Sequence, residues 1–264
     1  MKKTGPKILI YDIETAPIIA QVWDIWEQNV GLSQIQSDWH VIAFAAKWLG
    51  DSPSKIIYKD QRHSKNIEND KILLKQIWTL LDSCDIAITQ NGVAFDNKKL
   101  NARFIQAGFP PPSSFKNIDT KLIASRYFKF TSNKLEYLSN TLNEKYKKLN
   151  HSEFSGHSLW TECLKGNLKA WKAMERYNKH DVLATEELWT KLSPWANNAP
   201  NFNIYHNDYH HICRCGSKDL NRNGYAYTTT GKYIRYKCKD CGVESRDPKN
   251  ILTKEKRDSL KRKV

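Results

Sequence analysis

Ile8–Pro17 reads ILIYDIETAP, an apolar run broken by two acids, Asp12 and Glu14. Side chains alternate along a strand, so both carboxylates emerge on one side while Tyr11, Ile13 and Thr15 face the other. Two like charges side by side repel. Either the strand frays into a polar turn through Thr15-Ala16-Pro17, or a cation sits between the carboxylates. This segment alone leaves both readings open.

Composition narrows the class of protein. At 264 residues, 40% of them hydrophobic, the chain is long enough for one substantial domain and a small one. No apolar run approaches the roughly 20 residues of a membrane span, and the N-terminal apolar stretch is cut short by Asp12. We read the protein as intracellular and cytoplasmic, with no membrane partner. The net charge of +14 suits a polyanion such as nucleic acid. From His211 to Val264 there are 15 Lys/Arg against 6 Asp/Glu, so this last part carries +9.

The order of elements reads as α/β. VIAFAAKWLG and KIIYKD are two strands after the first, an antiparallel start to a sheet. Glu68–Leu81 has helical spacing, DIAITQNG is a strand running into a turn, and NKKLNARFIQAG is a helix closing on Gly108. KNIDTKLIASRYF and NKLEYLSNTLNEKY read as largely helical, and a long helix covers about Leu168 to Leu192. The expected division is a domain over 1–195, a Pro/Asn-rich linker over 196–209, a cysteine module over 210–250 and a basic tail over 251–264, with KEKRDSLKRKV frayed.

Two further acids stand out by context. NGVAFD places Asp96 after a strand and turn, at a helix start, where an ordinary N-cap is the plain alternative. In ERYNKHDV, Tyr177 and Asp181 lie four apart and share a helix face. Asp-x-Glu on a first strand, an Asp after Asn-Gly-x-x-Phe, and Tyr-x-x-x-Asp on a late helix, in that order, resemble the DEDD superfamily of 3′–5′ exonucleases. Those enzymes are built on the ribonuclease-H-like fold, a mixed sheet flanked by helices, and the late Tyr marks their tyrosine subclass. The resemblance spans about residues 7–192 and includes Asp119-Thr120 and the helix after Lys134-Leu135. GHSLWTECLKGNLKAWKAMERYNKHDV further resembles phage-encoded members.

The resemblance implies catalytic roles for Asp12, Glu14, Asp96, Tyr177 and Asp181. Four carboxylates in one cleft repel unless cations are present or their pKa values rise. Two Mg²⁺ or Mn²⁺ ions, which take oxygen ligands, answer that need. By resemblance Asp12, Glu14 and Asp181 hold the first ion, Asp12 bridges to the second, and Asp96 acts nearby or through water. Tyr177 orients the attacking water, since a phenol titrating near 10 is a poor base at neutral pH. The histidine subclass places its His five residues before the last Asp, where this chain has Arg176, and His180 points about 100° away around the helix. Thr15 and Asn91 are candidate substrate contacts. Gln90 stands where family members often carry His.

The cysteines add a second site. HICRCGSKDL and RYKCKDCGVE give Cys213-x-Cys215 and Cys238-x-x-Cys241, which suit one structural Zn²⁺ and resemble a zinc ribbon. The short first pair leaves His211 as an alternative ligand. Between the pairs, Tyr225, Tyr227, Lys232, Tyr233 and Arg235 form a candidate strand face for stacking bases and contacting phosphates, against a hairpin whose aromatics pack on each other. Trp23, Trp26 and Trp39 are expected in the core, with a substrate path as the alternative; Cys84 and Cys163 are ordinary packed cysteines.

The expected function is a metal-dependent 3′–5′ exonuclease acting on a DNA end, with RNA as an alternative substrate and replication or recombination proteins as partners. Its rivals are an exoribonuclease, a structure-specific endonuclease or resolvase of the same fold, and a non-catalytic nucleic-acid adaptor. Retention of all four acids argues against the adaptor, and cutting of a circular strand separates endonuclease from exonuclease.

Overall fold

The computed structural model describes residues 5–147, 149, 153–154, 156–205 and 211–261. They fall into two compact units, Lys7–Leu192 and a second made mainly of the chain from Ser193 onward. The outer parts of the expected segments, at 1–4, 206–210 and 262–264, lie outside the described residues.

In the first unit the sheet forms around β1 (Ile8–Thr15). On one side β1 pairs antiparallel with β4 (Val41–Trp48), which pairs with β5 (Ile57–Asp60). On the other it runs parallel to β6 (Ile86–Thr89), itself parallel to β7 (Lys116–Asp119). The order β5-β4-β1-β6-β7 makes β1 central, and β1 and β6 read as near-continuous apolar runs because both faces are covered. A small separate hairpin, β2 (Ile19–Ala20) against β3 (Ile35–Ser37), interrupts the path from β1 to β4.

One side of the sheet packs α1 (Lys71–Asp82) and α2 (Asp96–Gln106) over Leu9, Tyr11, Phe44 and Ala87. Leu74, Ile77 and Leu81 face inward from α1 at helical spacing. The expected helix from Glu68 starts instead at Lys71. Glu68 accepts from Ser37 Oγ (2.7 Å), and the Asp70 carboxylate takes the Val41 N–H (2.9 Å) and Arg103 (2.6 Å), which holds this stretch as a strap against β4.

KNID also departs from the sequence reading. It forms β7, and Asp119 then caps α3 (Thr120–Tyr127) by accepting the N–H groups of Lys121 (2.9 Å) and Leu122 (3.3 Å). Helices α4 (Leu135–Leu142), α5 (Ser158–Leu164) and α6 (Leu168–Leu192) complete the unit. The inward row of α6, Trp171, Met174, Asn178, Val182, Thr185, Leu188 and Leu192, recurs every three or four residues and is buried. Lys47 on β4, 1% exposed, donates to both oxygens of Glu186 at 2.7 Å, tying α6 to the sheet.

In the second unit, β8 (Leu220–Thr228), β9 (Gly231–Cys238) and β10 (Glu244–Arg246) form an antiparallel sheet in the order β10-β9-β8. Its buried apolar cluster is small: Cys213, Cys238 and Val243, with Leu220 and Cys241 against them. The expected linker is not a bare spacer. Ala196 and Phe202 are buried, and the Arg214 guanidinium donates to the carbonyls of Ser193, Pro194 and Ala196 (2.7–3.2 Å). The tail is not wholly frayed either, since Thr253 Oγ1 accepts the Lys256 N–H (3.2 Å) and starts a short helix, α7 (Lys254–Ser259). Among the described residues no helix is long and apolar enough to cross a membrane.

Candidate active site

The parallel ladder between β1 and β6 stops at Ile10–Ile88, so the far half of β1 outruns its neighbour. Asp96 takes over part of that edge: its Oδ1 accepts the Ile13 N–H at 3.2 Å. The first residue of α2 thereby sits beside the strand carrying Asp12 and Glu14. The turn before it is built for that placement. Asn91 lies at φ 69°, and the N–H groups of Asn91 (3.0 Å) and Val93 (3.1 Å) donate to the Asp119 carboxylate. A Cβ on Gly92 would collide with the Thr89 side chain, so only glycine passes there.

Helix α6 closes the group from the other side. Asn178, fully buried, donates from Nδ2 to Asp12 Oδ2 at 2.6 Å, and this bond anchors the helix turn that carries Tyr177 and Asp181. Tyr177 is hydrogen-bonded to Asp181. On α5, Trp160 Nε1 donates to Glu14 Oε2 at 2.9 Å, and its ring meets Tyr177 edge-on with centroids 6.3 Å apart. The five residues expected at the catalytic site thus come together from β1, α2 and α6.

Their charges register the crowding. Burial first, then the neighbouring charges of Asp96, Glu14 and Asp181, hold the Asp12 carboxyl well above the usual range, against the Asn178 bond. Glu14 is pushed up to about 8 by burial and by Asp181, although Trp160 pulls the other way. Asp96 rises to about 6 through burial, offset by the Ile13 N–H. Burial and Asp181 also raise the Tyr177 phenol, which disqualifies it further as a free base. A donor set made of oxygen alone, with charges that oppose one another, fits hard divalent cations. The acids are not a fraying strand end, since Asp12 is half-buried and Glu14 buried within a paired strand.

Other expected residues take supporting places. Asn91 Oδ1 accepts from Lys121 Nζ (3.0 Å), and Thr15 is half-buried at the end of β1. Gln90 donates to the Asn133 carbonyl (2.8 Å) and accepts from Thr120 Oγ1, a packing role. His180 packs edge-on against Tyr146, away from the acids. Sequence reasoning missed Asn178, Trp160 and the role of Asp119 as a turn clamp. Asn178 carried a usable signal, a polar residue on the inward row of an amphipathic helix; Trp160 carried none.

In the second unit the four cysteine sulfurs all lie within 4.8 Å of one another. Cys213 and Cys241 are 3.5 Å apart and Cys215 and Cys238 3.8 Å, close to the edge of about 3.8 Å that a tetrahedron with 2.3 Å Zn–S bonds requires. The pairs sit on two tight turns, each closed by a glycine N–H: Gly216 to Cys213 O (2.8 Å) and Gly242 to Cys238 O (3.1 Å). Burial raises Cys238, but N–H donation from Cys241 and Asp240 and a Ser217 bond outweigh it and bring the thiol to about 7. His211 is not in this group; it stacks on Tyr236 and meets Asp247 Oδ1 at 3.4 Å.

The register divides the expected tyrosine face. Tyr225 lies opposite Ile234 and Tyr227 opposite Lys232, whereas Tyr233 pairs with Ala226 and Arg235 with Arg246. Cross-strand partners share a face, so Tyr225, Tyr227 and Lys232 stand on one side and Tyr233 and Arg235 on the other. Lys232 Nζ lies 4.1 Å from the Tyr225 ring centre, and Arg246 covers Tyr233 at 3.9 Å. Arg235 is held by the Asn223 carbonyl (2.8 Å) and Glu244 (3.4 Å).

The sheet order, with its antiparallel edge and acids on the central strand, defines an RNase H-like fold. The chain belongs to the RNase_H superfamily, whose family model matches residues 30–193. A solved structure of the family B DNA polymerase from the hyperthermophilic archaeon Pyrobaculum calidifontis is similar in fold, with a TM-score of 0.50 and 14% identity. The likeness covers 72% of this chain and 25% of the polymerase, so the chain spans about a quarter of that protein's length. No curated protein matches the sequence. Family and fold support a nuclease, a class of hydrolase that acts on nucleic acid with divalent metals.

Proposed function

We propose that this chain is a metal-dependent 3′–5′ exonuclease that removes nucleotides from a DNA end. The observation that carries the reading is the convergence of Asp12, Glu14, Asp96 and Asp181 with Tyr177, in the arrangement that the resemblance to tyrosine-subclass DEDD exonucleases implies. Asp12, Glu14 and Asp181 would hold one Mg²⁺ or Mn²⁺, with Asp12 and Asp96 serving a second. Bound there, the ions supply an activated water and charge stabilisation of the leaving 3′ oxygen. The protein groups do the rest. Tyr177 orients the attacking water through its hydroxyl, Asn178 fixes the Asp12 carboxylate, and Trp160 fixes Glu14.

The four cysteines hold one structural Zn²⁺, without which so small a cluster of apolar side chains could not order the unit. The basic ribbon, with exposed Tyr225 and Tyr227 beside Lys232, contacts the nucleic acid. The test is product analysis of a 5′-labelled strand with Mg²⁺ or Mn²⁺: a ladder shortening from the 3′ end supports the reading, and cutting of a circular single strand favours the endonuclease.

A further inference from the structure

The path from β1 to β4 carries apolar surface that the core does not use. Trp23 is 98% exposed, Ile25 80%, Trp26 76% and Leu32 88%. The expectation that Trp23 and Trp26 pack inside is therefore wrong, and only Trp39 is half-buried. Such a patch costs free energy unless something covers it. Yet the arm is shaped by polar bonds. Gln21 N–H donates to Gln34 O (2.9 Å), Gln34 Nε2 returns to Gln21 O (2.9 Å), and Gln34 Oε1 accepts the Gly31 N–H (2.7 Å). Gln28 Nε2 holds the Trp26 carbonyl at 3.0 Å.

Both ends of this arm are rooted at the acid cluster. It departs after Thr15, next to Glu14 on β1. It returns through Trp39, whose ring centre lies 3.6 Å from Lys99 Nζ on α2, one turn from Asp96. Its charge is distinctive in so basic a chain: no Lys or Arg occurs from Ile8 to Ala46, and the arm holds Asp24 and Glu27. Cations meet it at its root, where Lys99 and Arg103 of α2 lie over the Trp39 ring. The arm therefore repels phosphate and offers indole faces.

We propose that Trp23 and Trp26 stack on unpaired nucleobases of the strand whose end enters the acid cluster, which makes a single-stranded 3′ end the preferred substrate. This rests on the exonuclease reading above. Stacking needs an exposed π-face on each base and no cation. A duplex hides those faces and would bring its phosphates against Asp24 and Glu27.

The test uses the full chain and a fluorescent dT12 protected by a 3′ phosphorothioate, titrated at several salt concentrations, with a blunt 12-base-pair duplex alongside. The Trp23→Ala/Trp26→Ala variant should bind dT12 at least about tenfold more weakly. Its slope of log K against log salt should stay unchanged, because no phosphate contact is lost, and duplex affinity should not move. Trp23→Phe/Trp26→Phe should stay within about threefold of wild type, since a ring remains. A melting temperature equal to wild type checks the fold. Unchanged dT12 affinity, which would turn the arm toward a protein partner, overturns the proposal, as does equal loss on the duplex, a shallower salt slope, or a phenylalanine pair as weak as the alanine pair. Wild-type hydrolysis of thymidine 5′-(p-nitrophenyl phosphate) with Mn²⁺ judges the exonuclease reading separately, so failure of one does not decide the other.

Discussion

The acid cluster and the cysteine cluster each gather four candidate ligands, by opposite means. In Lys7–Leu192 the acids are brought together by a sheet and helices with their own buried core, so mutually repelling charges are held by the packing and hydrogen bonds of the fold itself. In the second unit the cysteines are themselves most of the buried cluster. Ligands imposed by a fold can be removed without losing the fold, whereas ligands that make the core cannot. The first arrangement suits chemistry, which needs geometry independent of what is bound; the second suits a structural ion.

The largest effect should come from the acids. Asp12→Asn and Asp181→Asn should each lower Mg²⁺-dependent cleavage on the order of 10³-fold or more. Thermal unfolding without metal should stay equal or rise, because each removes a charge from a repelling group. A variant that kept near-wild-type rates would break the metal assignment.

The mirror experiment is Cys238→Ser. Hydrogen-exchange protection should vanish across 212–246 and persist in β1, β4 and α6, since zinc binding supplies the folding free energy of such a module, about 10 kcal/mol or more. Loss of protection in both regions would erase the contrast. Tyr177→Phe should sit lower on the scale, reducing kcat on the order of 10²-fold with KM little changed, if the hydroxyl serves the attacking water; steady-state kinetics decide it. Smallest of all, Trp160→Phe removes one bond to Glu14 and should raise the Mg²⁺ concentration for half-maximal rate by up to about tenfold. An unchanged Mg²⁺ titration would leave Trp160 a packing residue.

The same contrast explains what could be read from the sequence. The α6 boundaries, strands within VIAFAAKWLG and KIIYKD, and the cysteine quartet follow from local periodicity and spacing, and the structure has them, the strands trimmed to Val41–Trp48 and Ile57–Asp60. KNID was misread because a four-residue strand capped directly into a helix has no alternation of its own; its partner β6 makes it a strand. Trp23 and Trp26 were misplaced because hydrophobicity signals burial only when a face is available to receive it. The acids were legible as motifs and Asn178 as a polar residue on an inward helix row, but the Asn178–Asp12 bond, Trp160 and the Asp119 turn clamp depend on contacts between distant segments that no local pattern encodes.

The central claim is that Asp12, Glu14, Asp96, Asp181 and Tyr177 form a metal-dependent site that works inward from a 3′ end. One gel tests it most directly: the full chain with a 5′-labelled linear single strand and a circular single strand, with Mg²⁺, with Mn²⁺ and with neither, beside the Asp12→Asn variant. The account predicts a ladder from the 3′ end of the linear strand, an intact circle, and no products without the divalent ion or with the variant. A cut circle, or a ladder that the variant also produces, would contradict it.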